Sequence, residues 1–503
     1  MENGINGKYY KRTFLLFTAA LFFAFLWATV IRDDSDFYHI LTSGRDIWET
    51  GRIPVWNTHF AYDGLQIVIQ QWLYAFIAYG VYYVFGWAGM QVFLWIEFAI
   101  LFLLLYKIGT QRGLSHLHIV VCFIPVVFLC SVFLTPRPYL VTVILLLWQF
   151  YVQEAAFVYK REKVAWFLPV IFLLAINLHG ALWPYHAGML VLFLLPLAAK
   201  HIRFFSKRFV LDVHIRWWQV CLIPVCFGTL FLNPYGIDLV LYVFRAMRAG
   251  VGSSMISISE TGAPSLLDRN INFALWFLFY ILYQRFVRKT KLSFIDTSLY
   301  LTGFILTAHV LRHIPILVIG EIMLLYSPLF AGIFEVPFWH RMFSYCMVTE
   351  KNRRQFAGLC CMIVLVSCFM QPHLVSERSA FLDMQQIADY LQEKNYEGVV
   401  YTFFEPGCYM EYFGYIVASD GRPELLSESI NKKEDLIDIF KDPLLCHEFI
   451  DRSGAEYGIA KDSYTKLYFN GNLSWEDITD QFSFSEKGLK VYHRIDRSEL
   501  WNE

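Results

Sequence analysis

The chain has 503 residues, of which 57% are hydrophobic, 18% aromatic and only 17% charged, and its formal net charge is −1. Soluble domains carry about a quarter charged residues, whereas the apolar residues here form repeated runs of the roughly 17–25 residues that cross a bilayer. The composition therefore excludes an ordinary soluble protein, and with no basic stripe in the sequence we expect no nucleic-acid partner. It predicts a multi-pass membrane protein that is mainly α-helical.

The first apolar run, residues 13–31, follows the basic residues Lys8, Lys11 and Arg12. No small-residue cleavage site follows this run, so we interpret it as an uncleaved signal anchor with the N-terminus inside. Directly after it, apolar side chains spaced through 37–48 predict a helix lying at the membrane interface. Asp36 would stand at the start of that helix, where a simple helix-capping role is the alternative to a catalytic one.

Later apolar runs alternate with basic clusters that mark cytoplasmic loops. The runs are 88–108, 117–134, 139–157, 165–178, 182–198, 216–232, 271–287, 295–311, 314–332 and 355–371. With the first run they predict about eleven crossings and an external C-terminus. Residues 69–86 are also apolar, but a crossing there would place Lys107 and Lys160 outside. We therefore predict a short helix in the outer leaflet, with a full crossing as the alternative.

The composition becomes polar after Met370. The stretch SAFLDMQQIADYLQEKNY has helical periodicity, whereas GVVYTFF, EYGIAK and GLKVYHRI are typical of strands. We predict a transmembrane module over residues 1–371 and a small extracytoplasmic α/β domain over 372–503. The ten cysteines have no metal-ligand spacing, and a disulfide between Cys408 and Cys446 is an open alternative.

Polar and turn residues gather at the predicted outer ends of the helices, whereas the inner ends carry Lys and Arg but little else. Ionisable groups at membrane depth are costly, so a one-sided set indicates a polar cavity that opens outward. Taken singly, each residue has a structural alternative as a membrane flank, a helix cap, a turn or a headgroup contact. The set comprises Asp33, Asp34, Asp36, His39, Gln71, Arg137, Asn177, His179, Asn233, Tyr235, Glu260, Arg312 and His313.

The residue types in this set suit a phosphorylated lipid. Carboxylates beside the headgroup layer can act as a general base or hold a divalent cation. Arg137 and Arg312 match phosphate oxygens with a planar fork of donors, and the surrounding Trp and Tyr side chains suit a sugar face or a lipid chain. The pattern therefore predicts a lipid whose headgroup reacts outside the membrane.

The stretch DSDFYHILTSGRDIWETGRIPVWNTHFAY, residues 34–62, resembles the first outer loop of bacterial GT-C glycosyltransferases that use polyprenyl-phosphate sugars. These are relatives of protein O-mannosyltransferases and lipid A aminoarabinose transferase, in which this loop carries the catalytic Asp. Further motifs of the same glycosyltransferases follow in order along the chain, namely QQWL, RP, NLHG, NPYG, Glu260, RH and SDGRPELL. This chain departs from the pattern at Ile40, Gln71 and Tyr139, and the missing acid at position 71 leaves the need for a divalent cation open.

The resemblance implies a GT-C fold and an inverting transfer of a hexosyl or pentosyl group. The donor would be a polyprenyl-phosphate sugar, and the acceptor a glycan, lipid or protein on the outer face of a bacterial-type cytoplasmic membrane. The alternatives are a non-catalytic relative that binds a polyprenyl lipid, a flippase for lipid-linked oligosaccharides, and a polymerase with a lipid-diphosphate donor. Few charges fall in the helix centres, which argues against the flippase.

Carried onto this sequence, the resemblance makes Asp36, in the outer loop 32–87, the leading catalytic base and Asp34 the second. Arg137, Arg312 and His313 are then expected to bind the donor phosphate. The expected cavity lining consists of His39, Gln71, Asn177, His179, Asn233, Tyr235 and Glu260.

Overall fold

The computed structural model of the protein describes residues 31–62, 64–248, 264–265, 269–330, 379–402, 404–433, 442–461 and 463–495, with a few single positions between them. The first apolar run up to Val30, nearly all of the run 355–371, Glu260 and the predicted domain boundary at 371 lie outside the described residues. The predictions made for them stay predictions.

The chain up to Phe330 is almost entirely helical where it is described, as expected. Two short strands, β1 (Phe209–Val210) and β2 (Leu292–Ser293), pair in parallel. The α-helices are α1 (Ser35–Thr50), α2 (Trp72–Gln111), α3 (His116–Cys130), α4 (Tyr139–Phe157), α5 (Phe167–Leu178), α6 (Trp183–Ala199), α7 (Arg203–Arg208), α8 (Trp217–Thr229), α9 (Ile237–Arg248), α10 (Arg269–Leu282), α11 (Phe294–His309) and α12 (Ile314–Leu325).

Three described helical segments are long and apolar enough to cross a membrane, namely Trp72–Gln111, Tyr139–Phe157 and Gly180–Ala199. Shorter apolar helices cover His118–Phe133, Trp217–Thr229 and Ile271–Val287. The protein is therefore a membrane protein by the character of its helices. The number of eleven crossings stays a prediction.

The predicted break near residue 87 is a kink inside α2 and not a loop. Gly86 has φ 58° and ψ −150°, a conformation that only glycine adopts readily. The segment predicted to lie in the outer leaflet and the crossing that follows it are thus two helical parts of α2 that meet directly at Gly86, where the backbone is not helical.

A charged cluster lies where α2, α4 and α11 meet. Arg112, just after α2, donates from Nε to Glu154 Oε1 at 2.8 Å and from Nη2 to Asp296 Oδ1 at 2.8 Å, and from Nη1 to the carbonyl of Met323 at 3.0 Å. All three charged side chains are almost fully buried. Little besides Lys and Arg was expected at the inner ends of the helices. The two acids were not predicted there because each stands in an apolar segment far from Arg112 in sequence.

The arrangement of helices around the Arg112 cluster gives the bundle two polar ends. α2 and α4 end at the cluster, α11 begins there, and α12 ends there. The opposite termini of these helices therefore point to the other end of the bundle. Close packing of α11 on α12 keeps them aligned, because a Cβ on Gly303 would lie 2.7 Å from Leu317 Cα.

The C-terminal part forms the predicted α/β domain. Its sheet has the strand order β4-β3-β5-β7-β6, with β3 parallel to β4 and β5, and β7 antiparallel to β5 and β6. The elements are α13 (Ser379–Glu393), β3 (Val399–Tyr401), α14 (Glu405–Tyr412), β4 (Ile416–Val417), α15 (Glu428–Asn431), α16 (Pro443–Arg452), β5 (Tyr457–Ala460), α17 (Ser463–Gly471), β6 (Trp475–Asp477) and β7 (Lys490–Arg494). The helix and the three strands predicted from the sequence correspond to α13, β3, β5 and β7.

The alternative of a disulfide between Cys408 and Cys446 is wrong, since both thiols are free and buried. Cys408 Sγ accepts a hydrogen bond from Gly421 N at 3.2 Å. Cys446 Sγ lies 3.7 Å from the Tyr401 hydroxyl. Each thiol thus has its own partner on a different side of the domain.

The helix predicted to lie at the membrane interface exists as α1, but its apolar face is buried inside the protein. Phe37, Ile40 and Leu41 are each at most 2% exposed. A Cβ on Gly44 would lie 2.3 Å from the carbonyl oxygen of Ala75 in α2, so the two helices cross closely. α1 therefore packs between α2 and the C-terminal domain, and its spacing of apolar residues reflects protein contacts.

Candidate functional site

A cavity of about 810 Å³, partly open to solvent, lies between the membrane module and the C-terminal domain. Its walls come from α1, the chain before α2, the turn before α4, the ends of α5 and α9, the turn before α12, and the 420–425 segment of the C-terminal domain. It is lined by Asp36, His39, Ile40, Ser43, Ile67, Val68, Ile69, Gln70, Gln71, Arg137, Pro138, Tyr139, His179, Tyr242, Arg312, Gly421, Arg422, Glu424 and Leu425.

The start of α1 positions two carboxylates around one guanidinium. Asp34 caps the helix by accepting from Asp36 N at 3.1 Å, as helix N-caps commonly do. Arg137 grips Asp34 with Nε–Oδ2 and Nη2–Oδ1 distances of 2.5 Å and reaches Asp36 Oδ2 from Nη1 at 2.9 Å. The Asp34 side chain is 7% exposed and that of Asp36 31%. Asp34 therefore holds the helix and Arg137 in place, while Asp36 presents its carboxylate to the cavity.

Arg137 and Arg312, which the sequence predicted to bind the donor phosphate, both line the cavity but in different settings. Arg137 is shared by two carboxylates, whereas Arg312 lies in the short turn Leu311–His313 before α12. His313 is not part of the lining, and its Nδ1 lies 2.6 Å from the Tyr185 hydroxyl. Both guanidinium groups therefore lie at the space that an incoming anion would enter.

A third cation, Arg422, enters the cavity from the C-terminal domain. It donates from Nε to Asp420 Oδ2 at 2.7 Å and from Nη2 to Glu411 Oε1 at 2.8 Å. Burial raises the pKa of Glu411 and, although the Arg422 charge opposes this, the Asp420 carboxylate adds to it. Burial alone would also raise the pKa of Asp420, but Arg422 outweighs it and holds that pKa below its usual range. A single ionised acid then balances Arg422.

Gly421 brings the C-terminal domain into contact with the reactive carboxylate. A Cβ built on Gly421 would lie 2.7 Å from Asp36 Oδ1 and 3.0 Å from Cys408 Sγ. Any side chain at this position would therefore push against the Asp36 carboxylate and the Cys408 thiol. The 420–425 segment is thus part of the cavity wall directly at Asp36.

His39, Gln71 and His179 lie in the cavity lining, as predicted. Burial lowers the pKa of His39 to about 3, and the charges of Arg422 and Arg137 add to this effect, so its imidazole is neutral near pH 7. His179 Nδ1 lies 2.8 Å from the Thr142 hydroxyl. His39 Nδ1 and Gln71 Oε1 are buried and have no hydrogen-bond partner among the described residues.

The remaining predicted lining residues lie elsewhere and brace the backbone. Asn177 Oδ1 accepts from Trp72 Nε1 at 2.9 Å, and Asn233 Nδ2 donates to the carbonyls of Leu230 and Gly236. The Tyr235 hydroxyl donates to the carbonyl of Pro54 at 2.8 Å. These residues support the walls without reaching the cavity, and Glu260 lies outside the described residues.

Sequence reasoning left several lining residues out of the site. Gln70 and Tyr139 stand inside motifs that had been noted, and Arg422 stands in the SDGRPELL stretch, which was assigned to the outer domain alone. Nothing in the sequence pointed to Tyr242, whose hydroxyl donates to Glu424 Oε1 at 2.5 Å. The missing information was the contact between the domain and the helix bundle.

The described residues contain no group of three or more His, Cys, Asp or Glu side chains that is placed to hold a metal ion. The chemistry available in the cavity is that of two carboxylates, Asp36 and Glu424, three guanidinium groups and a set of neutral polar side chains. A carboxylate of this kind can take a proton, and cations near it can offset the negative charge of a leaving group.

No family model matches the sequence. No curated protein matches it either.

Solved structures resemble it in fold. The archaeal oligosaccharyltransferase AglB from Archaeoglobus fulgidus, in complex with an inhibitory peptide and a dolichol-phosphate, aligns with a TM-score of 0.54 at 10% identity and covers 95% of this chain and 74% of its own. The same organism's oligosaccharyltransferase tethered to an acceptor peptide aligns with a TM-score of 0.51 at 10% identity, over 98% of this chain and 75% of its own. The chain therefore has the GT-C glycosyltransferase fold that its sequence resemblance implied.

Proposed function

We propose that the chain is a glycosyltransferase that moves a sugar from a polyprenyl-phosphate donor to an acceptor on the outer face of the membrane. The observation that carries the proposal is the cavity itself. It joins the Asp36 carboxylate to Arg312 and Arg422, at the end of the bundle opposite the Arg112 cluster. These residues come from widely separated parts of the chain.

The chemistry follows from this arrangement. Asp36 takes the proton of an acceptor hydroxyl or amide as the acceptor atom attacks the anomeric carbon. The bond from that carbon to the phosphate oxygen breaks, and the electron pair leaves with the lipid phosphate. Attack opposite the leaving group inverts the anomeric centre. Arg312 and Arg422 offset the charge that develops on the phosphate.

The structural neighbours support this donor class in general terms. The Archaeoglobus fulgidus enzyme was solved with a dolichol-phosphate and a peptide, so a lipid phosphate fits a protein of this fold. At 10% identity, the likeness does not carry the acceptor peptide over to this chain. Glycan, lipid and protein acceptors are therefore all part of the proposal.

The test is a donor panel. Purified full-length protein is incubated with radiolabelled polyprenyl-phosphate and polyprenyl-diphosphate sugars, together with membrane fractions as a source of acceptors. We expect release of polyprenyl phosphate and transfer of label with a monophosphate donor. Turnover only with a diphosphate donor would identify a polymerase-type enzyme. Movement of the lipid across reconstituted vesicles without label transfer would identify a flippase, and binding without either would identify a non-catalytic relative.

Arg312 provides a direct check on the donor site. Arg312→Ala should weaken binding of polyprenyl phosphate by about 1.5–3 kcal/mol, the range for a hydrogen bond to a charged group. Arg312→Lys should restore it only in part, since Lys lacks the planar fork of donors. Unchanged binding in both variants would exclude Arg312 as a phosphate ligand.

A further inference from the structure

One wall of the cavity carries polar side chains whose buried atoms have no partner among the described residues. The atoms are His39 Nδ1, Gln70 Oε1 and Gln71 Oε1, and all three side chains line the cavity. His39 and Gln71 are each only 7% exposed. Isolated unpartnered atoms occur elsewhere in the described chain, but here three from adjacent positions share one cavity.

A buried glutamine away from the cavity shows what full satisfaction by the protein looks like. Gln149 is completely buried, yet its Nε2 donates to the carbonyl of His186 at 2.9 Å and its Oε1 lies 2.7 Å from His186 Nδ1. A buried polar group without a partner is costly. Gln111 and Gln153 also have an unpartnered buried Oε1 among the described residues, but neither lines the cavity. His39, Gln70 and Gln71 do line it, so a molecule bound in the cavity is placed to supply their partners.

The character of these groups indicates which part of a donor they contact. Two amides and a neutral imidazole exchange hydrogen bonds with hydroxyl groups. A carboxylate would need an arginine and an ammonium group an acid. Asp36 is assigned to the acceptor proton and Arg312 and Arg422 to the phosphate, whereas Arg137 is bound by two carboxylates and Glu424 accepts the hydroxyl of Tyr242. The Tyr139 ring and apolar Ile67 and Ile69, which also line the cavity, suit the C–H face of a sugar ring.

We propose that His39, Gln70 and Gln71 form the sugar site and select a donor with a neutral sugar over one with an amino sugar or a uronic acid. The hydroxyl groups of that sugar supply the missing hydrogen-bond partners. The inference rests on the proposed function, because it places the donor's sugar in the same cavity as Asp36.

The test compares two glutamine-to-leucine variants of the full-length protein. Gln71→Leu keeps the volume and removes both polar atoms at the cavity. Gln149→Leu makes the same change away from the cavity. Dissociation constants are measured for bare polyprenyl phosphate and for polyprenyl phosphate carrying a hexose, the matching uronic acid and the matching amino sugar.

Wild-type protein should bind the hexose donor more tightly than bare polyprenyl phosphate and more tightly than either charged-sugar donor. Gln71→Leu should keep its affinity for the bare lipid phosphate and lose roughly tenfold for the hexose donor, the value of about one hydrogen bond. Gln149→Leu should retain the preference for the hexose.

Thermal stability without ligand gives a second measure. Gln149→Leu should lower Tm because it leaves His186 without its partner, whereas Gln71→Leu should leave Tm unchanged or raise it, since it removes an unsatisfied group. A large loss of Tm in Gln71→Leu, an undiminished hexose preference in that variant, or equal affinity of wild type for all sugars would overturn the inference and leave the lipid-phosphate donor standing. Failure of wild type to bind any of the lipids would overturn the proposed function and this inference with it.

Discussion

Asp34 and Asp36 have different surroundings although a single residue separates them. Asp34 is nearly buried, caps α1 and receives two donors of Arg137. Asp36 is about one third exposed at the cavity wall, and its Oδ2 lies 2.9 Å from Arg137 Nη1. Helix capping, the structural alternative considered for Asp36, is thus the role of Asp34. The carboxylate of Asp36 has the cavity as its main environment.

The first prediction concerns Asp36→Asn. Asn keeps the size of the side chain but cannot accept a proton, so turnover should fall by roughly 10²–10⁴, the usual contribution of a general base. Donor affinity and Tm should stay close to wild type. Steady-state transfer rates and binding of polyprenyl phosphate check this, and full transfer activity in the variant would reject Asp36 as the base.

Asp34→Ala is the matched control, and its main effect should be on stability. Removal of the buried partner of Arg137 should destabilise the fold by about 3–5 kcal/mol, the range for a broken buried ion pair. A thermal shift assay in detergent measures this. A variant with normal Tm but no turnover would move the catalytic assignment from Asp36 to Asp34.

The second prediction concerns Gly421→Ala. The added methyl group would lie 2.7 Å from Asp36 Oδ1, so either the carboxylate or the 420–425 segment must move. A shift of about 1 Å at a catalytic group can cost roughly 10²-fold in rate, and we expect that loss in kcat with donor affinity preserved. Gly471→Ala, where a Cβ meets no atom within 4 Å, should be silent. Equal kcat values for the two variants would refute the contact.

At the scale of elements, α1 and α14 join the C-terminal domain to the helix bundle. Tyr38 of α1 packs on Tyr409 of α14 with ring centroids 4.6 Å apart, and Arg45 donates to the carbonyl of Tyr412 at 2.9 Å. Next to this contact lies the buried set of Glu411, Asp420 and Arg422. The interface thus combines packed aromatic rings with buried ionisable groups, and the pKa of one of these groups, Glu411, is raised.

The third prediction follows from Glu411. Its pKa is higher in the folded protein than in the unfolded chain, so its contribution to stability is present below the ordinary glutamate pKa and is lost as pH rises through the raised value. Glu411→Gln mimics the protonated form and escapes this loss. Between about pH 5 and pH 8 the variant should gain about 1–3 kcal/mol over wild type, at about 1.4 kcal/mol per pKa unit.

Thermal unfolding at several pH values measures this difference. Glu448→Gln, at an exposed position of α16, is the control and should follow the wild-type curve. Parallel curves for wild type and Glu411→Gln would show that Glu411 ionises in the folded protein as it does in the unfolded chain.

At the scale of the whole molecule, the bundle has a cavity at one polar end and the Arg112 cluster at the other. α4 spans the two, with Tyr139 in the cavity wall and Glu154 in the Arg112 cluster. The C-terminal domain covers the cavity end through the 420–425 segment. Cavity and C-terminal domain must therefore lie on the same side of the membrane.

The fourth prediction is that this side is the outside. A reporter active only in the cytoplasm should stay silent when fused after Glu503 and should be active when inserted after Gly113, in the turn beside Arg112. The physical reason is the rule that cytoplasmic loops are rich in Lys and Arg. An active fusion at Glu503 would invert the topology and place the transfer reaction inside the cell.

The character of single elements could be predicted from the sequence. α4 and α6 match the runs 139–157 and 182–198 almost residue for residue, because long apolar segments have few alternatives to a helix in a bilayer. Several lining residues were also predicted, among them Asp36, Gln71 and Arg312, because costly polar residues at helix ends stand out against an apolar background. The GT-C fold followed from an ordered series of short motifs.

Which distant residues contact one another could not be predicted from the sequence. The tertiary structure alone decided these contacts. The periodicity of apolar residues in α1 is the same whether that face contacts lipid or protein. The positions of α2 and α14 decided that it contacts protein. Arg137 came to bind two carboxylates through the packing of α1 against the turn before α4. Arg422 and Gly421 line the cavity only because the C-terminal domain packs on the bundle. The sequence by itself thus determined the helices, the fold class and the types of residue available for chemistry. The packing of one domain on the other decided which of them meet, because contact depends on three-dimensional proximity that no local pattern records.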